Sequence, residues 1–334
     1  MPFHPNSLPD LSGKVFIVTG GNSGMQVFLL FHEAQVTNIP NHRGYYTVSH
    51  LAGRGAHVYM CARSLDNANA AIEEIKKTRP AANIDILQMD LMDLATVVAA
   101  AKRYLSLETS LHGLVNNAGI MATPFEMTKD GHEAQWQTNY LSHWVFTEHL
   151  LPLMSQTAKG LPPGSVRIVN LTSSGHLGAP KDGINFGDLA LKDSDVWKRY
   201  GQSKLANILH TKTLHTKYGP GSQNKDAEIW TSSIHPGLVE TNLATGVEQS
   251  QTAMLSVITI LRMLRLVWSA DKGSWNNLFC VASLDMKPEQ SGAYLDVFSR
   301  FGEPWWESGA AKDEKLAEKL DAWTREVMKT EGWL

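Results

Sequence analysis

The chain has 334 residues, 43% of them hydrophobic, with 30 basic against 33 acidic residues and a formal net charge of −3. A chain of that length buries a full core without staples, so Cys61 and Cys280 are not a disulfide framework and suit a reducing compartment. Near-neutral charge excludes the broad basic face that nucleic acid demands.

Residues 1–10 carry three prolines and no apolar signal-peptide run. No stretch approaches the ~18 continuous apolar residues of a membrane span. The longest candidate, 254–268, is interrupted by Arg262 and Arg265. These readings lead us to expect a cytoplasmic globular protein with no membrane span.

In chain order, strand-like runs fall at 14–19, 56–61, 84–89, 111–116, 165–171 and 227–235. Helical stretches fall between them at 67–77, 94–105, 133–154 and 203–218, and an amphipathic helix at 312–328. Apolar strands alternating with helices imply βαβ units and a parallel sheet covered on both faces. Right-handed crossovers then give a doubly wound, Rossmann-type α/β fold. No Pro-, Gly- or Ser-rich linker divides it, so the expectation is a single domain over 1–334 with a less regular, substrate-side region at 242–310.

The first strand runs into Thr19, Gly20, Gly21, Asn22, Ser23 and Gly24. Between a strand and a helix, such glycines allow a tight turn and let backbone N–H groups approach a pyrophosphate. At the second strand end, a reader of the ribose 2′-hydroxyl would be acidic, and Arg63 stands there instead. An arginine pairs with a 2′-phosphate, which favours NADP over NAD; a solvated surface arginine is the competing reading. Asp90 after the third strand is placed to reach adenine, and Asn117, Ala118 and Gly119 after the fourth line the same crevice.

Tyr200 and Lys204 are spaced i, i+4 at the start of a helical run, which sets phenol and ammonium on one face. A nearby cation favours the phenolate and lowers a tyrosine pKa toward working pH. Such a tyrosine exchanges a proton with a carbonyl or alcohol oxygen. The fifth strand brings the hydroxyls of Ser173 and Ser174 to the same sheet edge.

Together these residues resemble the short-chain dehydrogenase/reductase family over nearly the whole chain: Thr19 to Gly24, Asp90, 116–119, Asn139, Ser173, Tyr200, Lys204, Pro236 and Gly237. The segments 167–170, 200–207 and 235–241 are most similar to its retinol-dehydrogenase-like branch and to fungal reductases of small-molecule pathways. The resemblance implies Tyr200 as general acid/base, Lys204 on the nicotinamide ribose, and Ser173 orienting the substrate oxygen. It further implies Asn139 supporting a water-linked proton relay, and Pro236, Val239 and Thr241 covering the nicotinamide. The activity implied is hydride transfer between NADP(H) and a small carbonyl or alcohol, with a homo-oligomer as a family expectation.

The glycine pattern departs from the family's at one place. Its last glycine should follow Met25 directly, but residues 26–43 intervene before Gly44 opens the expected helix. Either this is a genuine loop or it is a retained intron, and the clean join on both sides favours the intron. An insertion there is expected to carry the third glycine away from the phosphates and weaken NADP binding. A catalytically impaired binding or scaffold protein is therefore the alternative reading, and an NAD-preferring enzyme another.

Thirteen histidines invite a metal reading, but no ligand spacing appears, and His143, His149, His210 and His215 read as helix residues. The sequon at Asn170 ends a core strand and is discounted. The apolar stretch 250–268 reads as a substrate lid, with a membrane-surface helix as second reading. Pro304, Trp305 and Trp306 line the substrate entrance or pack in the core. An apolar lid suits a lipophilic or aromatic carbonyl substrate.

Overall fold

The computed structural model describes residues 3–22, 43–224, 227–237, 268–296, 302–304 and 306–334. The lid segment at 250–267, most of the interruption at 26–43, and Ser23, Gly24, Val239, Thr241 and Trp305 lie outside the described residues.

Val15–Thr19 (β1) leads to the helix Arg43–Ala52 (α1), and His57–Ala62 (β2) follows. Leu65–Thr78 (α2), Asn83–Gln88 (β3) and Leu94–Leu107 (α3) complete the first half, up to Gly113–Asn116 (β4). The long helical stretch after β4 opens as Ala134–Trp136 (α4), widens into a π-helical turn at Gln137–Leu141, and continues as Ser142–Ala158 (α5). Val166–Leu171 (β5), Val196–Tyr218 (α6), Ile229–Ile234 (β6), Ala270–Ala282 (α7), Tyr294–Asp296 (β7), Glu303–Pro304 (β8) and Glu314–Thr330 (α8) follow.

The strands form one sheet in the order β3-β2-β1-β4-β5-β6-β7-β8. Every pairing is parallel except β7 with β8. The chain moves outward from β1 to β3, then returns to place β4 on the other flank of β1. That reversal opens a crevice beyond the carboxyl ends of β1 and β4, where doubly wound sheets bind ligands. Every residue of β1, β4, β5 and β6 is buried, as a sheet covered on both faces requires. On one face Ile17, Leu114 and Ile168 pack under α3, α5, α6 and α8. On the other, Phe16, Val18 and Met60 pack under α1, α2 and α7.

One local reading is corrected. Helix α6 begins at Val196 rather than at residue 203, because the Asp195 carboxylate accepts from the N–H groups of Trp197 at 2.8 Å and Lys198 at 3.0 Å and so caps it. Tyr200 is therefore already inside the helix. Within the region 242–310, the described residues include α7, which buries Leu278, Phe279 and Cys280 against the sheet, and β7, which extends that sheet beside β6. Both cysteines are free and buried. Among the described residues no helix is long and apolar enough to cross a membrane, and no three His, Cys, Asp or Glu side chains gather as a metal site.

Candidate active site

The crevice begins at Thr19, the last residue of β1. Its hydroxyl oxygen accepts from the N–H groups of Asn117 at 2.9 Å and Ala118 at 3.0 Å, and its carbonyl accepts from Asn117 Nδ2 at 2.9 Å. These bonds lock the end of β1 to the loop after β4. Gly20 follows with φ +64°, and Gly44 packs onto it. A β-carbon on Gly44 would overlap the Gly20 carbonyl oxygen and stand 2.9 Å from Asn117 Nδ2. Only glycine permits that approach. The expectation that residues 26–43 carry the third glycine away from the turn is thus overturned. Gly44 sits at the turn with the N-terminus of α1 behind it, the arrangement that favours a diphosphate.

Four side chains meet at the ends of β4 and β5. The Tyr200 hydroxyl is hydrogen-bonded to the Ser173 side chain, and Ser173 Oγ also accepts from the Gly175 N–H at 3.0 Å. Ser173 is half-buried whereas Ser174 is exposed, so Ser173 is the hydroxyl turned toward the phenol. Lys204 Nζ donates to the Leu171 carbonyl at 3.2 Å and lies 5.8 Å from the Tyr200 ring centroid. Asn139 sits in the π-helical turn. Its Nδ2 donates to the Ile120 carbonyl at 3.0 Å and Ser203 Oγ at 2.9 Å, while its Oδ1 accepts from the Ile120 N–H at 2.8 Å. Such widened turns recur at functional sites.

The electrostatics depart from expectation. Burial pushes the Tyr200 phenol up, and the Ser173 hydrogen bond and the Arg43 guanidinium pull it back. Burial, helped by Arg43, pushes Lys204 down to about 7. Arg43 is thus a cation that favours the phenolate, while the Lys204 ammonium donates to the Leu171 carbonyl. Arg43 is itself buried, and desolvation lowers it to about 10.

Toward the other end of the crevice, Asn22 Nδ2 donates to the Ser64 carbonyl at 3.4 Å, tying the glycine turn to the loop after β2. Arg63 in that loop is exposed, and no hydrogen bond or ion pair ties its guanidinium to a described residue. Asp90 folds back on its own loop, accepting from the Met92 N–H at 3.0 Å. Beyond β6, Pro236 and Gly237 are buried, with Gly237 at φ +85°. Trp306 is 63% exposed, which removes it from the core.

Three neighbours of the site are not singled out as site residues by the sequence reading. Arg43 immediately precedes the third glycine. Asn277 on α7 donates to Thr47 Oγ1 at 3.1 Å and Asn117 Oδ1 at 3.4 Å, from a helix with no motif to flag it. His143 lies one helical turn after Asn139, and that spacing is a signal the sequence did carry.

The family profile described as short chain dehydrogenase matches residues 43–252, beginning at the end of the interruption. The short-chain dehydrogenase/reductase drtF of Aspergillus calidoustus is 47% identical over 332 residues, spanning 98% of both chains. The chain belongs to the short-chain dehydrogenase/reductase family. It is thus an oxidoreductase of the class that interconverts alcohols and carbonyl compounds with a nicotinamide cofactor. Retinol dehydrogenase 12 of Mus musculus is 29% identical over 317 residues, 93% of this chain and 84% of the relative. A solved, uncharacterised protein of Mycobacterium paratuberculosis superposes with TM-score 0.70 at 27% identity, covering 98% of each chain.

Proposed function

We propose that this family member uses NADP(H) to reduce a lipophilic or aromatic ketone or aldehyde, or to oxidise the matching alcohol, in a small-molecule biosynthetic pathway. The observation that carries the reading is the convergence of Asn139 and Lys204 at Gly119 with Ser173 and Tyr200 at Gly175, at the crevice where the strand order reverses.

The residues present fit a dinucleotide. Gly44 packs directly on Gly20, where a β-carbon would overlap the Gly20 carbonyl oxygen, α1 presents its N-terminus at that turn, and the exposed Arg63 guanidinium is suited to a 2′-phosphate. When bound, the nicotinamide supplies or accepts the hydride. The chain's own work is proton management and orientation. Tyr200 is kept protonated at neutral pH by burial, so its O–H can donate to a developing alkoxide. Ser173 Oγ, fixed by the Gly175 N–H, adds a second hydrogen bond to that oxygen. Lys204, held by the Leu171 carbonyl beside Gly119, would bind ribose hydroxyls, and the family resemblance assigns Pro236, Val239 and Thr241 to the nicotinamide. Retinol, in the name of the murine relative, is a lipophilic alcohol of the proposed kind.

A panel of aromatic and aliphatic carbonyls, followed through NADPH absorbance, tests this. Turnover with NADPH well above that with NADH is expected; no turnover of any carbonyl or alcohol with either cofactor refutes the reading.

A further inference from the structure

Loop 117–120, which forms one wall of the crevice, is clamped at two places. Thr19 Oγ1 holds the N–H groups of Asn117 and Ala118, and the Asn139 side chain holds both backbone groups of Ile120. The two clamps come from different elements, β1 and the π-helical turn. One side chain joins them. His143 Nε2 is 2.9 Å from Thr19 Oγ1, and His143 Nδ1 is 3.2 Å from the Asn139 carbonyl oxygen.

Hydrogen-bond valence fixes the direction of this chain. The Thr19 oxygen already accepts two N–H bonds, so its own hydrogen must be donated. Its shortest acceptor is His143 Nε2 at 2.9 Å, against 3.5 Å to the Val115 carbonyl. Nε2 is then bare, the ring proton is on Nδ1, and Nδ1–H donates to the Asn139 carbonyl. A protonated ring would aim two hydrogens at each other across the Thr19 contact. Burial pushes the ring down to about 4, in agreement with a neutral imidazole.

We propose that His143 is a positioning residue, a neutral imidazole that sets Asn139 and loop 117–120 relative to the nucleotide-binding turn. This rests on the reading of the site as a nicotinamide-dependent reductase. His143 touches neither reacting group. It acts through Asn139, which flanks Gly119 and Lys204, and through Thr19, which anchors the loop beneath the cofactor crevice.

Three substitutions separate its two bonds. His143→Asn keeps a donor near the Nδ1 position, His143→Gln keeps an acceptor near Nε2, and His143→Phe keeps neither. For His143→Phe the expected outcome is a kcat lower by roughly ten- to hundredfold, the scale of a small misplacement in an active site. Its carbonyl KM should change little, and NADPH binding should weaken. His143→Asn should recover more kcat than cofactor affinity, and His143→Gln the reverse. If all three variants only melt earlier, with kcat per folded molecule at the wild-type value, the residue is structural and the proposal fails. Should His143→Phe not fold, the other two variants decide. Independently of turnover, histidine ¹⁵N shifts at neutral pH should show His143 protonated on Nδ1 alone; the opposite tautomer or an imidazolium overturns the proposal. A wild type that binds NADPH but turns over nothing would sink the functional reading while leaving the tautomer measurement to judge this one.

Discussion

Gly119 and Asn139 are in direct contact: a β-carbon on Gly119 would stand 2.8 Å from Asn139 Oδ1 and 3.2 Å from Lys204 Nζ. The Gly119 backbone is not in the left-handed region, so alanine is conformationally allowed and the strain is one of contact alone. Gly119→Ala should therefore fold and push apart Asn139 and Lys204. We expect a drop in kcat/KM of at least about tenfold, since small displacements of positioned groups cost that much or more. Circular dichroism unchanged with wild-type kinetics would show that the contact is not functional.

That contact also shows where sequence reading stops. The alternation of strands and helices, and the glycines and asparagines at strand ends, are local signals that survive in one dimension, and they located the crevice. Tyr200 and Lys204 were legible because helical periodicity puts them on one face. Their electrostatics were not, because desolvation is a property of what packs around a group. Arg43 acts on the phenol through space, from beside the glycine that packs on Gly20. Strands β7 and β8 were too short to carry a periodic pattern, and α7 shows no clear amphipathic stripe because most of its residues are buried.

Arg63 should decide between cofactors. It is exposed and its guanidinium forms no hydrogen bond or ion pair with a described residue, so replacing it breaks no such bond. A charge-assisted contact to a 2′-phosphate contributes about 1.5–3 kcal/mol. Arg63→Ala should accordingly raise the KM for NADPH by roughly tenfold or more and leave that for NADH nearly unchanged. Equal changes for both cofactors would assign Arg63 to the solvated surface.

The Arg43 guanidinium lowers the Tyr200 phenol and depresses Lys204. Removing it should move both groups the same way, upward. In alcohol oxidation the phenolate is the base, so the rising limb of kcat/KM against pH should move to higher pH in Arg43→Met. A chain lacking residues 26–43 loses the same guanidinium and should shift in the same direction. A limb that stays in place in both would mean that another group sets it.

Helix α8 is held over α5 and α6 by polar bonds at an apolar seam. Tyr140 Oη and Thr324 Oγ1 lie 2.8 Å apart, both buried, and Trp144 Nε1 donates to Asp321 at 3.3 Å. Thr324→Val keeps the shape but leaves the Tyr140 hydroxyl without that partner. Stranding a buried hydroxyl costs about 1–3 kcal/mol. The urea midpoint should fall accordingly while kcat and KM stay put, because the Thr324 hydroxyl bonds to Tyr140 Oη and the Leu320 carbonyl and to no residue of the crevice. Altered kinetics without lost stability would contradict this division.

Acid should destabilise the protein through imidazoles that are buried neutral. Burial pushes His143 down to about 4, and His210 and His235 down to about 3, from an ordinary value near 6.5. Below that ordinary value the unfolded chain takes up protons that the native state refuses, so stability falls as pH falls. The slope is about 1.4 kcal/mol per pH unit for each such group between its unfolded and folded pKa. His210 is the group to remove, since it packs among Tyr140 and Trp144 on the far side of α6 and its Nε2 has no partner among the described residues. His210→Leu should leave stability near pH 7.5 little changed. At pH 5 it should gain about 2 kcal/mol relative to wild type, the linkage term over 1.5 pH units. Denaturation midpoints recorded from pH 7.5 to 4.5 give the comparison. Parallel curves for the two proteins would mean that His210 already binds its proton in the folded state.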